Sequence, residues 1–223
     1  MLKIKNVETY GWEAAIRGMR NPKNSWDKSD SLHCYDEESN CGDCGYFHCP
    51  QGNPLVIGKN DMKLMTTLAN AGTDHGKFLR MINVTLDITA PLYWWKEFDT
   101  YKVGTVANSC STMHKIADKE FTADDFSHEH LNDECMDYLD AAVLCLNRYR
   151  ELFQKDKNKS WWWQMIQLLP SSYNQRRTVM LNYAVLKNIY NARRNHKLDE
   201  WNLFCGWIER LPYSELITGK AVE

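Results

Sequence analysis

The feature that most limits the fold is a strict alternation near the middle of the chain. Ile82, Val84, Leu86 and Ile88 are apolar, and Asn83, Thr85, Asp87 and Thr89 between them are polar. Successive strand side chains point to opposite faces, so this period of two reads as a strand with one buried and one wet face. One strand cannot bury its face alone, so a sheet with an apolar cover is required. Pro91 closes the run and suits the first turn of a following helix, where the amide it lacks would be unpaired anyway.

The remaining patterns supply the cover. Leu2, Ile4 and Val7 make a short strand, and Trp12, Ala15, Ile16 and Met19 then recur at the helical period. Met62, Leu64, Met65 and Leu68 face the core from a helix that Asn60 would cap and Gly72 would stop. Beyond about residue 124 the chain reads as mostly helical: Met136, Leu139, Val143 and Leu146 on one segment, then 161–169, 173–194 and 198–211. The expected class is α+β, with a small sheet and a helical C-terminal half, in one domain over 1–223, a length that a single core can hold.

With 27 Lys and Arg against 29 Asp and Glu, the formal charge of −2 excludes a general attraction to nucleic acid, which asks for a basic face. The N-terminus lacks the apolar stretch of a signal peptide, and no run approaches the roughly 18 apolar residues of a membrane span. A soluble, cytoplasmic protein without a membrane partner is expected.

From residue 21 to about 58 the composition turns to Asn, Asp, Ser, Gly, Cys and Pro, an irregular excursion long enough to need a reason. It carries His33-Cys34, Cys41-Gly42-Asp43-Cys44 and His48-Cys49. A C-x-x-C turn points two thiolates to one side and bites tetrahedral Zn²⁺. Cys34, Cys41, Cys44 and Cys49 are therefore read as the ligands of a zinc-binding insertion over 33–53, with His33 and His48 as replacements. A closed set of four protein ligands is structural, and about 10–16 kcal/mol of binding, as in zinc-finger peptides, is ample to order such a loop. Unbridged thiols or a redox pair are the alternatives. His128 and His130, followed by Asp133, Glu134 and Cys135, form a weaker candidate that fits a solvated helix start as well. Trp161, Trp162 and Trp163 read as core plus one exposed ring, or as a stacking or protein-binding surface.

Two gapless stretches carry a resemblance. Thr100-Tyr101-Lys102-Val103-Gly104-Thr105 through Ser109-Cys110 keeps the spacing of a signature R-H-R-x-x-S followed by a segment ending S-x-R-Y. The two signature arginines fall on Thr100 and Lys102, the serine on Thr105, a later phosphate-contacting serine on Cys110 and the arginine after it on Thr112. Leu169-Pro170 through Asn182, Leu186, Asn188 and Arg193 fits a second motif, in which two further arginines are replaced by Ile166 and Ala184. With Ala71-Gly72-Thr73-Asp74-His75 as a weaker third sign, the chain resembles the flavin-dependent thymidylate synthases over roughly 62–193. The resemblance implies that family's fold and FAD as cofactor, with Lys102, Asn182 and Asn188 toward the flavin. It implies a pyrimidine nucleotide near Thr105, Cys110 and Arg193, and a homo-oligomer, a tetramer in the family. It assigns no catalytic residue, since the family uses no covalent enzyme nucleophile.

Thr100, Thr112, Ile166 and Ala184 cannot make the bidentate contacts of arginine, and each lost charged contact removes about 1.5–3 kcal/mol of binding. Lys102, Lys115, Arg176, Arg177 and Arg194 are the candidate substitutes. The expectation is a diverged relative that does not make thymidylate. The alternative is a mobile-element protein that keeps the fold as a scaffold and inhibits a host defence nuclease of the CRISPR kind, with Asp36-Glu37-Glu38 or Asp124-Asp125 covering a nucleic-acid channel.

Overall fold

A computed structural model describes residues 2–33 and 55–219. The elements run β1 (Lys3–Tyr10), α1 (Trp12–Arg20), β2 (Leu32–His33), β3 (Leu55–Val56), α2 (Lys59–Asn70), β4 (Asn83–Pro91), α3 (Leu92–Phe98) and β5 (Thr105–Ser109). They continue with α4 (Thr112–Lys115), α5 (Asp133–Asp156), α6 (Lys159–Leu168), β6 (Asn174–Asn182), α7 (Tyr183–Arg193), α8 (Asp199–Ile208) and α9 (Glu215–Thr218). One sheet has the order β1-β4-β6-β5, and β2 pairs with β3 in a second. The alternating run is β4, whose inward residues Val84, Leu86 and Ile88 are almost wholly buried.

The chain divides into two compact units, Met1–Asn6 with Leu86–Lys102 and Val106–Val179, and Val7–Thr85 with Val103–Thr105 and Met180–Glu223. In the first unit Trp94, Trp95 and Phe98 are buried together, and Phe121, Phe126, Leu139, Leu146 and Met165 form a second cluster under α5 and α6. In the other, Ile16, Met65, Leu186, Trp201, Phe204 and Leu216 are buried. Among the described residues no helix is long and apolar enough to cross a membrane.

Two sequence expectations change. Residues 173–182 are not helical: β6 occupies Asn174–Asn182, with Gln175, Val179 and Leu181 buried and Arg176, Thr178 and Met180 exposed. A polar Gln175 and a charged Arg177 stand at inward positions of this strand, which breaks the apolar half of the alternation and hid the period of two. Asn182 consequently ends a strand, and only Asn188 and Arg193 lie on α7. Nor does Asn60 cap α2. That helix begins at Lys59, and the carboxylate of Asp30, from the irregular excursion, accepts the amides of Asn60 (2.9 Å) and Asp61 (3.0 Å). Gly58 accommodates Asp30, since a Cβ there would lie 2.2 Å from its carboxyl carbon.

The start of the excursion is tied down by a buried ion pair. The Arg20 Nε donates to Asp61 Oδ1 at 2.6 Å, with side chains 5% and 0% exposed. The remaining guanidinium nitrogens donate to the carbonyls of Ser25 (3.0 Å) and Lys28 (2.9 Å). The other Asp61 oxygen accepts from the hydroxyls of Ser29 (2.7 Å) and Ser31 (2.6 Å). Burial pushes the Asp61 carboxyl up, but the hydrogen bonds of Ser31, Ser29 and Arg20 outweigh it and leave it below its ordinary value.

Candidate functional site

In the first unit, the residues that stand at replaced arginine positions have structural work. Thr100 donates its hydroxyl to the Glu97 carbonyl at 2.7 Å, closing α3. The Thr112 hydroxyl accepts from Gln175 Nε2 at 3.0 Å. Ile166 packs against the cluster of Phe121, Leu146 and Met165. Cys110 is an exposed free thiol whose backbone is fixed on β6, its amide donating to the Arg176 carbonyl at 3.0 Å.

The inward polar residues of β6 form a network that sequence reasoning missed. Arg177 donates to Asp99 Oδ1 at 2.6 Å and to Gln175 Oε1 at 2.9 Å, and its guanidinium lies 4.1 Å from the centre of the Trp95 ring. The signal that could have found it was the pair of polar residues two apart inside a strand-length run. On the opposite face Asp87 gathers Arg176 (2.5 Å), Thr178 (2.6 Å) and Asn6 (2.7 Å) from the two neighbouring strands. The hydroxyl of Thr178 first, then Arg176 and Asn6, hold the Asp87 carboxyl down to about 2.

In the other unit, Gly104 takes a left-handed φ of 79° and seats against the start of α7, where a Cβ would lie 3.0 Å from Asn182 Nδ2 and 3.1 Å from Val185 Cγ2. Asn182 is buried and caps α7, its side-chain oxygen accepting the Val185 amide at 3.1 Å. Next to Gly104, the Thr105 hydroxyl oxygen is closed to solvent without a hydrogen-bond partner. Asn188 is exposed on α7. The Arg193 guanidinium lies 4.9 Å from the Trp201 ring centre.

Of the five candidate substitute cations, three are already neutralised: Lys115 by Asp118 (2.9 Å), Arg176 by Asp87 and Arg177 by Asp99. Lys102 and Arg194 are exposed, and their side chains make no ion pair or hydrogen bond among the described residues.

Cys34, Cys41, Cys44, Cys49 and His48 lie outside the described residues. Among the described residues no group of three or more His, Cys, Asp or Glu side chains could hold a metal ion, which removes the candidate around His128 and His130. There His128 Nδ1 bonds the Phe126 carbonyl, and Asn132 caps α5 by accepting the Cys135 amide at 2.9 Å. Asp125 is likewise occupied, by the Thr122 amide and by Lys119.

No protein-family model and no curated protein matches the chain. Solved structures do. The chain is similar to a crystal structure of thymidylate synthase X from Helicobacter pylori with FAD and dUMP, at a TM-score of 0.66 and 15% identity over 98% of this chain and 97% of that one. A second structure, flavin-dependent thymidylate synthase from Helicobacter pylori complexed with FAD and dUMP, matches at the same score and identity over 96% and 97%. At this identity the likeness establishes the fold.

Proposed function

We propose that this chain, which has the fold of the flavin-dependent thymidylate synthases from end to end, is a zinc-containing protein that binds flavin and a pyrimidine nucleotide but no longer makes thymidylate. Thr105 carries the reading. A buried hydroxyl without a partner costs about 1–3 kcal/mol, and a polar ligand atom reaching Thr105 would recover it. Gly104 beside it lets the backbone seat closely against Asn182 and Val185.

On this reading Lys102, Asn188 and the Asn182 cap lie toward FAD, and Thr105, Cys110 and Arg193 toward the nucleotide. The exposed Lys102 ammonium meets phosphate charge, the Asn188 amide offers both a donor and an acceptor, and the Thr105 hydroxyl orients the ligand. FAD, when bound, supplies the two-electron chemistry. Thymidylate synthesis is lost because the grip on phosphate is gone. Thr100, Thr112 and Ile166 are committed to structure. Lys115, Arg176 and Arg177 would each have to leave a carboxylate to serve a ligand. Zinc on Cys34, Cys41, Cys44 and Cys49 completes the reading through the chemistry of the donor set: four thiolates satisfy a tetrahedral ion.

The test combines an absorbance spectrum and metal analysis of the purified protein with flavin and dUMP titrations and a thymidylate assay. Flavin uptake, stoichiometric zinc lost in Cys41→Ser, and no thymidylate above background are expected. Thymidylate formation overturns the loss of synthesis. Failure to take up flavin overturns the binding role, and a metal-free protein overturns the zinc.

A further inference from the structure

In the second compact unit, α2 and the segment leading into α9 line an open groove of about 680 Å³. That is the size of a small-molecule site, and no residue assigned above to flavin, nucleotide or zinc lines it. Ile57, Met62 and Tyr213 give it an apolar wall, and Lys59, Lys63 and Glu215 give it charge.

These charges are unanswered. Lys59 and Lys63 are exposed one turn apart on α2, and neither makes an ion pair or hydrogen bond among the described residues. The half-buried Glu215 makes none either, and its Oε2 is closed to solvent. Lys187 spends its ammonium on the carbonyls of Ala69 (2.7 Å) and Leu216 (3.4 Å) instead. A carboxylate partly out of water with no donor is disfavoured, so a donor entering the groove gains more at Glu215 than at an exposed acid. Tyr213 adds a second irregularity: its φ of 51° lies in the left-handed region, which a bulky residue rarely adopts. The edge contact to Trp12, 5.2 Å between ring centres, and the Ile57 amide donating to its hydroxyl at 3.3 Å hold it there. Backbone strain of this kind gathers at ligand sites.

The same contacts order the charges along the groove. The Tyr213 hydroxyl meets Ile57 just before α2, whereas Lys187 joins Leu216 to Ala69 near the end of that helix. Glu215 therefore lies toward the end of α2, and the lysines toward its start. Lys63 and Ala69 are about 9 Å apart along the helix axis, which two or three residues of extended chain span at about 3.3–3.6 Å each.

We propose that this groove binds a short peptide with free ends, about two or three residues long, with its N-terminal ammonium on Glu215 and its C-terminal carboxylate between Lys59 and Lys63. Thr66, Thr67 and Asn70 line the stretch between and offer hydroxyl and amide groups to the peptide backbone, while the apolar wall takes a side chain. A free amino acid is too short to reach both ends, and a nucleotide brings no cation to Glu215.

The test is calorimetric titration of the full chain with alanyl-leucyl-alanine, and with the same tripeptide acetylated at its N-terminus or amidated at its C-terminus. The free tripeptide is expected to bind, and blocking either end to weaken it about tenfold or more, the loss of one charged contact. In Glu215→Gln the penalty for acetylation should vanish and that for amidation persist. In the double variant Lys59→Met and Lys63→Met the reverse should hold. Because Glu215→Gln removes an unanswered charge, its thermal midpoint should equal or exceed that of the wild type. No uptake of the free tripeptide, equal uptake of the blocked forms, tighter binding of free leucine, or variants that keep both penalties overturns the proposal. A Glu215→Gln midpoint below that of the wild type also overturns it, since the carboxylate would then serve the fold.

Discussion

Separating Arg20 from Asp61 is costly, because both charges are out of water and every guanidinium nitrogen and both carboxylate oxygens already hold a partner. Removing one partner leaves an uncompensated buried charge, and Arg20→Ala should lower unfolding stability by about 3–5 kcal/mol, read as a shifted urea midpoint. Asp87 gives a different prediction at the same scale, through pH. Its folded value, about 2, lies below that of an unfolded Asp near ~4. The stabilisation is therefore complete above the unfolded value and is lost as pH falls from there through about 2. Carboxyl NMR should find the folded midpoint near the lower limit, and Thr178→Val, which removes the hydroxyl that contributes most, should move it upward. Both carboxylates stand in the sequence as ordinary acids. Only the convergence of Ser29, Ser31 and Arg20 on one, and of two neighbouring strands on the other, makes them exceptional.

Between elements, the turn into β5 depends on Gly104. Gly104→Ala should cost about 1–2 kcal/mol for the left-handed backbone alone, with the contacts to Asn182 and Val185 adding to it, again measured by urea unfolding. On the proposed reading, in which Thr105 lies toward the nucleotide, dUMP affinity should fall with it. What the sequence made legible here followed periodicity. Strand β4, helices α1, α2, α5, α6 and α8, and the helical part of 183–193 all announce themselves through apolar spacing, and Gly72, with φ 98°, does stop α2. Strand β6 did not, because Gln175 and Arg177 point inward and are satisfied by Thr112, Asp99 and Trp95, partners distant in sequence. The candidate site was legible only by spacing. That Thr100, Thr112 and Ile166 are spent on structure, and that three of five cations are already paired, depends on tertiary neighbours that spacing does not encode.

At the scale of the whole molecule, the irregular excursion is secured from both sides before its cysteines begin. Asp61 accepts from Arg20, Ser29 and Ser31, Arg20 in turn holds the carbonyls of Ser25 and Lys28, His33 bonds Glu13, and β2 and β3 pair Leu32 with Val56 and His33 with Leu55. The chain thus leaves at His33 and returns at Leu55 side by side. Replacing 34–54 with a short Asn-Gly turn should leave the thermal midpoint of the rest almost unchanged, since each doubling of a closed loop costs only about 0.6 kcal/mol, while abolishing any zinc content. Calorimetry and metal analysis of that variant check both halves. A parent scaffold with its two leads already joined acts as a socket: a lineage can lengthen, recode or exchange what is plugged in there at little thermodynamic cost to the rest of the fold.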